Sequence, residues 1–534
     1  MELNKRPNIV LIMNDDMGYS DLQCYGGEIE TPNLNRLVNQ GIQFTQFYNT
    51  ARCSPSRASL MTGLHPHQTG IGILTDDHSP DGYPGNLNTQ CATLAEILKP
   101  QGYSTYMSGK WHMAHDFQHE KHTWPLQRGF EKFYGTIAGA GSFHEPNTLT
   151  RGNDNIDHEA NEENFYYTDA ISDQAVRFIE EHAEEKRGVD QPFFQYVAYT
   201  APHWPLHAKD EDIAKYKGRF DEGWDQLRQE RLKRMISLGI IDCSWELTER
   251  DPSQPDWEKV EHREWLLRCM EVYAAQIDCM DQGIGRIVNA LERTGQLDNT
   301  ILLFLADNGG CAELLDPAAH DLFVDHLLIA RSESLDGEPI LFGNRPELMP
   351  GPKNTYQSYG VAWANLSNTP FRLYKHWVHE GGISTPLIVH WPEGLRASGE
   401  LRHTPAQLVD IVPTLLELAN ASYPEQLNGH KLLPLEGRSL KNIFEQDEDT
   451  EVPLFWEHEG NSAIRIGKWK LVKKYPGDWE LYNMIENRTE TVDLATQYPD
   501  KVKDMSGMYN EWAARCSVVA RDTVEKIIEE RKRT

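Results

Sequence analysis

No stretch of the 534-residue chain approaches the roughly 20 consecutive apolar residues that cross a bilayer, and its mean hydropathy is −0.60. Basic charge is scarce: 52 Lys and Arg stand against 81 Asp and Glu, a formal net of −29. Nucleic-acid binders neutralise phosphates with a basic face, and a polybasic face also holds proteins to anionic lipid. Neither nucleic acid nor membrane is therefore expected as a partner. Cysteine is sparse as well, with eight residues at 24, 53, 91, 243, 269, 279, 311 and 516 and no CxxC pair of the zinc or redox kind. A chain this long needs no disulfide staples. The opening residues carry no basic segment followed by an apolar core, so no secretory signal is read. A cytoplasmic location is expected, or a periplasmic or secreted one if an export signal has been removed. With 39% hydrophobic and 25% charged residues, a soluble, packed globular chain is expected.

Short apolar runs alternate with amphipathic segments over the first 420 residues or so. Ile9 to Met13, Tyr103 to Met107, Phe193 to Tyr199, Thr300 to Ala306 and Pro386 to His390 read as buried strands. Helices are expected from Thr31 to Gln40, Thr93 to Leu98, Asp169 to Glu185 and Ala406 to Ala419. A long one from Trp265 to Arg293 carries expected interruptions at Gly283 and Gly285. This alternation predicts an α/β fold: a large mixed, mostly parallel sheet sandwiched by helices, in a catalytic domain spanning 1–435. After that the pattern changes. Phe455-Trp456, Ala463 to Ile466, Lys468 to Val472 and Glu480 to Tyr482 read as an antiparallel meander, and Pro499 to Arg533 as helix. A smaller C-terminal α+β domain over 436–534 is expected. Two long stretches, about 140–168 and 311–368, fit neither pattern; they read as loops at the mouth of a site or as surface insertions.

In an open α/β sheet, ligands bind beyond the carboxyl ends of the strands. Asn14-Asp15-Asp16 follows the first strand, Gly109-Lys110-Trp111-His112 another, Ala201-Pro202-His203-Trp204-Pro205 a third, and Asp307-Asn308-Gly309-Gly310 a fourth. Each pair of acids alone could be a helix cap. Together, Asp15, Asp16, Asp307 and Asn308 are hard oxygen donors, and three carboxylates in one place need a cation. Oxygen-only ligation selects Ca²⁺, with Mg²⁺ as the alternative. A rival zinc cluster of His112, His115, His119 and His122 lacks the usual cysteine or acidic pattern, and the last three read as surface histidines.

The stretch Cys53-Ser54-Pro55-Ser56-Arg57-Ala58-Ser59-Leu60-Met61-Thr62-Gly63 opens a helix near Pro55 and stops it at Gly63. Cys53 then lies at a helix N-terminus, where free N–H groups favour negative charge, and Arg57 could grip an anion one turn in. Cys-x-Pro-Ser-Arg-x-x-x-x-Thr-Gly resembles the signature of formylglycine-dependent sulfatases of the alkaline-phosphatase superfamily. The Asp-Asp pair, Gly-Lys-Trp-His, Ala-Pro-His-Trp-Pro, Asp-Asn-Gly and Lys375 within Arg372-Leu373-Tyr374-Lys375 follow in the same order. The likeness covers nearly the whole chain and is to bacterial arylsulfatases of similar length.

The resemblance implies a sulfuric ester hydrolase with named roles. Cys53 would be oxidised to formylglycine by a maturation enzyme and would act as the hydrated aldehyde. Asp15, Asp16, Asp307 and Asn308 would hold Ca²⁺, which also touches an oxygen on residue 53. Arg57 and Lys110 would stabilise the diol, and Asp307 would help deprotonate it. His112 would be the base that helps expel sulfate, while Lys110, His203 and Lys375 would bind the sulfate ester. The expected substrate is a small aryl or alkyl sulfate. Alternatives are an exosulfatase acting on sulfated carbohydrate, a phosphodiester or phosphonate ester hydrolase on the same fold, and a non-catalytic anion binder. Trp111, Trp204 and Trp363 are candidates for an aromatic wall or for core packing.

Overall fold

The strand Asn8–Asn14 is buried along its whole length, as expected of a strand covered on both faces. In the computed structural model, which describes residues 5–533, it pairs in parallel with Phe193–Ala198 on one side and Thr300–Ala306 on the other. Ser104–Gly109 pairs in parallel with Phe193–Ala198, so four strands run side by side in one direction. Their ends are level: Asn14 lies opposite Ala306, and both Met13 and Gly109 lie opposite Ala198. The four loops that carry the acids, the lysine and the histidines therefore emerge together.

These strands form the middle of an 11-stranded sheet. On one flank Lys132–Thr136 adds in parallel and Leu149–Arg151 and Asp154–Asn155 add antiparallel. On the other, Ser384–His390 is antiparallel to Thr300–Ala306 and to Ile42–Tyr48, while Glu400–Arg402 and Ala406–Gln407 run parallel to Ile42–Tyr48. The fold is the mixed, mostly parallel sheet between helices that the alternation predicts. Side chains alternate along the first strand: Val10 and Ile12 join one apolar layer, and Ile9, Leu11 and Met13 join the other. The first layer holds the helices Tyr167–Glu185 and Arg263–Arg293; the second holds Cys53–Thr62, Leu94–Leu98 and Ile411–Leu418. Thr93 caps its helix as a capping box with Glu96.

Four expectations change, the first being the C-terminal helix expected over Pro499 to Arg533, which is two helices, Pro499–Arg515 and Arg521–Arg533. The helix Arg263–Arg293 runs unbroken through Gly283 and Gly285, which are there for close packing. A Cβ at Gly283 would sit 2.1 Å from Ser172 Oγ, and one at Gly285 would sit 2.5 Å from Asn33 Oδ1. The segment expected as helix from Ala406 starts as strand Ala406–Gln407 and becomes α-helical only at Ile411. The 311–368 stretch is not structureless: it contains a short π-helix at Leu322–His326 and an α-helix at Gly360–Ser367.

The C-terminal meander is a four-stranded antiparallel sheet of Leu454–His458, Asn461–Ile466, Trp469–Lys473 and Trp479–Asn483, with the helix Pro499–Arg515 packed on it. A buried ionic network ties this sheet to the large one. Glu380 pairs with Lys470 and Arg488, each at 2.8 Å, Lys470 also pairs with Glu490 at 2.8 Å, and Tyr48 donates to Glu380 at 2.9 Å. Glu380 lies just before Ser384–His390, so the same network braces the segment that carries Lys375. Among the described residues, no helix is long and apolar enough to cross a membrane.

Candidate active site

Cys53 is the first residue of the helix Cys53–Thr62 and is buried at its N-terminus; Gly63 closes that helix in a left-handed conformation. Two serines of the same motif fix the helix end. Ser54 donates to the His112 carbonyl at 2.6 Å, and Ser56 donates to the Asp307 carbonyl at 2.5 Å. Position 53 is thus tied directly to two of the other strand-end loops. Cys53 Sγ lies 3.5 Å from His112 Nδ1.

One turn on, Arg57 is fully buried. Its Nη2 donates to Asp307 Oδ2 at 2.8 Å and lies 3.8 Å from Asp15 Oδ2, and its Nη1 donates to Tyr196 Oη at 3.3 Å. Lys110 reaches Asp15 from the next strand end. It does so because Gly109, with φ +108, turns the chain there, and a Cβ on it would lie 2.0 Å from the Ala198 carbonyl oxygen. Asp16 also takes a left-handed conformation, φ +66. Its carboxylate accepts from Asn308 Nδ2 at 2.7 Å and from Lys375 Nζ at 2.9 Å, with His203 Nε2 at 3.2 Å. Lys375 and His203 are 3.3 Å apart. All ten residues singled out from the sequence, Asp15, Asp16, Cys53, Arg57, Lys110, His112, His203, Asp307, Asn308 and Lys375, join this one constellation.

The electrostatics point to a cation. Burial raises the Asp15 carboxyl, but Lys110, His203, Arg57 and Lys375 outweigh it and hold the group well below the usual carboxylate range. Asp307 goes the other way: burial, and then the neighbouring Asp15 carboxylate, push it up. Two adjacent acids driven apart in this way are under-neutralised. Asp15 Oδ1 and Asn308 Oδ1 are buried without a hydrogen-bond partner. Orphaned hard oxygens beside clashing carboxylates fit a hard divalent ion held by Asp15, Asp16, Asp307 and Asn308. Burial, followed by Lys110 and Arg57, depresses His112 well below the normal imidazole value, so its ring is neutral. Burial lowers His203 too, against the opposing pull of Asp16. Burial would lower Lys375, but Asp16 and the groups around it raise it well above its ordinary value.

A cavity of about 450 Å³ opens over Cys53, His112, His203 and Lys375. Its walls are largely apolar: Phe117, Trp204, Leu314, Leu322, Phe323, Leu327 and Ile329. Most of these come from the 311–368 stretch, whose Phe323 ring packs against Trp204 with centroids 5.5 Å apart. Of the three tryptophans considered, only Trp204 lines the cavity. Trp111 is core and bonds the Thr123 carbonyl, and Trp363 packs among Trp224 and Trp257. Among the described residues the zinc-type grouping of His112 with His115, His119 and His122 does not form. His115 instead lies on the cavity rim, bonded to the Thr75 carbonyl at 2.8 Å.

Sequence reasoning missed several participants. Tyr196 sits inside a strand and carries no local signal beyond its apolar neighbours. Arg52 and Glu313 pair at 2.7 Å at the mouth, and Glu313 also accepts from the Trp204 indole at 3.3 Å. Arg52 was adjacent to the motif and legible; Glu313 lay in a stretch without periodicity.

The family model described as "Sulfatase" matches residues 7–421, and one described as "N-sulphoglucosamine sulphohydrolase, C-terminal" matches residues 371–510. An uncharacterised sulfatase of Schizosaccharomyces pombe is 32% identical, over 97% of this chain and 95% of its own length. An arylsulfatase of Klebsiella aerogenes is 33% identical over 82% of this chain and 92% of its own. The solved structure of Ps i-CgsB in complex with k-i-k-neocarrahexaose superposes with a TM-score of 0.66 at 25% identity, over 95% of this chain and 93% of that one.

Proposed function

The chain belongs to the sulfatase family and is a sulfate ester hydrolase; from that premise we propose that it cleaves aryl or alkyl sulfate monoesters to an alcohol and inorganic sulfate. The observation that carries the choice of leaving group is the cavity of about 450 Å³, polar at its floor and walled by Phe117, Trp204, Leu314 and Phe323. Such a volume suits a small molecule, and such walls reward an apolar one.

Cys53, converted to formylglycine by a maturation enzyme, would supply as its hydrate an oxygen to attack sulfur and a second hydroxyl whose collapse to C=O releases sulfate by C–O cleavage. Ca²⁺, or Mg²⁺, held by Asp15, Asp16, Asp307 and Asn308, would supply the charge that lowers the cost of an anionic nucleophile beside an anionic ester. Arg57, locked between Asp307 and the Lys110 carbonyl, keeps a fixed cation beside position 53. Lys110, braced on Asp15, adds a second. Neutral His112, 3.5 Å from the position-53 side chain, is placed to take a proton from it when sulfate leaves. His203 and Lys375 face the floor together and are placed to bind the ester oxygens and donate to the departing alcohol oxygen. His203 is oriented by its Nδ1, 2.6 Å from the Trp204 carbonyl.

A sulfated sugar is the second reading. Asp76, His115, Asp316 and His326 line the same cavity and offer partners for hydroxyl groups. A panel of an aryl sulfate, a sulfated monosaccharide, a phosphodiester and a phosphonate monoester, compared by kcat/KM, tests the choice. The aryl sulfate is expected to lead; preference for the sugar or for a phosphorus ester overturns the assignment.

A further inference from the structure

The geometry points to a second metal site, of the zinc class, formed by His376, His458 and Glu459 at the junction of the large sheet and the C-terminal sheet. One ligand atom from each of the three lies within 4.8 Å of the other two. Two imidazoles and a carboxylate are a donor set for Zn²⁺ or a similar late first-row divalent ion. They are a poor set for Ca²⁺, which takes oxygen. The site therefore differs in chemistry from the all-oxygen cluster at Asp15 and Asp307.

The spacing fits. Bonds of about 2.0–2.1 Å arranged tetrahedrally separate neighbouring ligand atoms by about 3.3 Å. His376 Nδ1 lies 2.8 Å from Glu459 Oε2, and His458 Nε2 lies 3.7 Å from the same oxygen, so the two separations bracket that edge. The remaining separation, between the two imidazoles, is within 4.8 Å.

A second observation is independent of the spacing. His458 is 1% exposed, and neither of its ring nitrogens has a hydrogen-bond partner. A buried imidazole with both nitrogens unsatisfied is costly unless something takes its lone pair. The other groups around the site leave room for an ion. Arg521 Nη1 takes Glu459 Oε1 at 2.7 Å, so the contact at Oε2 that an ion would replace is the one with His376 Nδ1 at 2.8 Å. Asn461 Nδ2 lies 3.4 Å from His376 Nε2, which leaves Nδ1. His376 and Glu459 are partly exposed, at 33% and 22%, so an ion has an entry path and water can supply the fourth ligand.

The place gives the site a consequence. His376 follows Lys375, and its backbone N–H donates to the Ala51 carbonyl at 2.8 Å, two residues before Cys53. His458 and Glu459 form the turn between the first two strands of the C-terminal sheet. An ion here pins that turn to the segment that presents Lys375.

The test uses full-length protein, stripped with chelator, returned to saturating Ca²⁺ and titrated with Zn²⁺ by calorimetry. The wild type is expected to bind one equivalent, and His458→Gln and His376→Asn are each expected to weaken it tenfold or more. The exposed control His119→Asn is expected to leave it unchanged. No Zn²⁺ uptake in the presence of Ca²⁺, or full affinity in both variants, overturns the site. Should His458→Gln fail to fold, a zinc-edge anomalous difference map from Zn²⁺-soaked wild-type crystals decides. A peak between the two imidazoles and Glu459 supports the site. A map with no peak there, or with peaks only elsewhere, such as beside His65, Glu436 and Cys516, overturns it.

Discussion

Arg57 Nη2 donates to Asp307 Oδ2 at 2.8 Å with both side chains fully buried, across 250 positions of sequence. The bond joins the helix that begins at Cys53 to the carboxylates that would hold the cation. Burial and the neighbouring Asp15 push the Asp307 carboxyl up against the pull of Arg57 and Lys110. Asp307→Asn keeps the shape and removes the charge. Ca²⁺ is expected to raise the Tm of the wild type and to raise that of the variant far less, and kcat/KM is expected to fall by about 10³ or more. Melting curves with and without Ca²⁺ check the first part, and steady-state kinetics the second. An undiminished Ca²⁺ effect in the variant contradicts the ligand assignment.

Cys53→Ala separates chemistry from architecture. The side chain is small, and its one polar contact is His112 at 3.5 Å, so the change is expected to move stability by no more than about 1 kcal/mol. Turnover is expected to vanish, because the position would carry no oxygen. In active wild-type protein, mass spectrometry of the peptide containing residue 53 is expected to show the aldehyde in place of the thiol. Measurable turnover by the alanine variant, or a fully unmodified thiol in an active sample, contradicts the nucleophile assignment.

Much of this site could be read from the chain because Asp15, Asp16, Lys110, His112, His203, Asp307 and Asn308 each come just after a strand. Ile9 to Met13 and Thr300 to Ala306 announce themselves as buried runs, and the residues just past them are obliged to share one edge once the strands are parallel. Lys375 was legible only through the family resemblance: it sits in a loop with no periodicity, reaching Asp16 from 359 positions away. Ile42–Tyr48 went unread because its alternation of Ile42 and Phe44 with Gln43 and Thr45 breaks at Gln46, where the pattern calls for an apolar residue. Every residue but Gln46 is buried all the same. Gly283 and Gly285 misled because propensity penalises glycine inside a helix, while here tertiary packing decides. The cavity wall was hidden for another reason. Phe117, Trp204 and Phe323 are brought together by the packing of the insertion, and no local pattern encodes that meeting.

The pH dependence of kcat/KM should carry the signature of His112. A base works only when deprotonated, and burial with Lys110 and Arg57 nearby holds this ring far below the ordinary imidazole value. A bound divalent cation would lower it further. The fraction of neutral His112 therefore stays near one as pH falls through 6.5, and kcat/KM is expected to lack the roughly threefold decline from about pH 7 down to about pH 6 that an unshifted histidine would impose. A pH–rate profile at saturating Ca²⁺ checks this. A limb centred near 6.5 that disappears in His112→Gln would show the ring to be unshifted.

Phe323 tests the apolar wall without touching the chemistry. It is half-buried, its ring lies 5.5 Å from Trp204 and 4.9 Å from Phe342, and it stands over the cavity rather than at its floor. Replacing it by alanine removes apolar surface that a ring in the cavity would cover, worth about 1–2 kcal/mol, or roughly 5–30-fold in kcat/KM for an aryl sulfate. Ground state and transition state contact the wall alike, so the loss is expected in KM, with kcat changed less than about twofold. A sulfated monosaccharide, whose hydroxyl-bearing ring gains little from that wall, is expected to lose much less. Equal losses for both substrates, or a loss confined to kcat, would place the leaving group elsewhere and return the choice between aryl and sugar to Asp76, His115, Asp316 and His326 on the polar part of the rim.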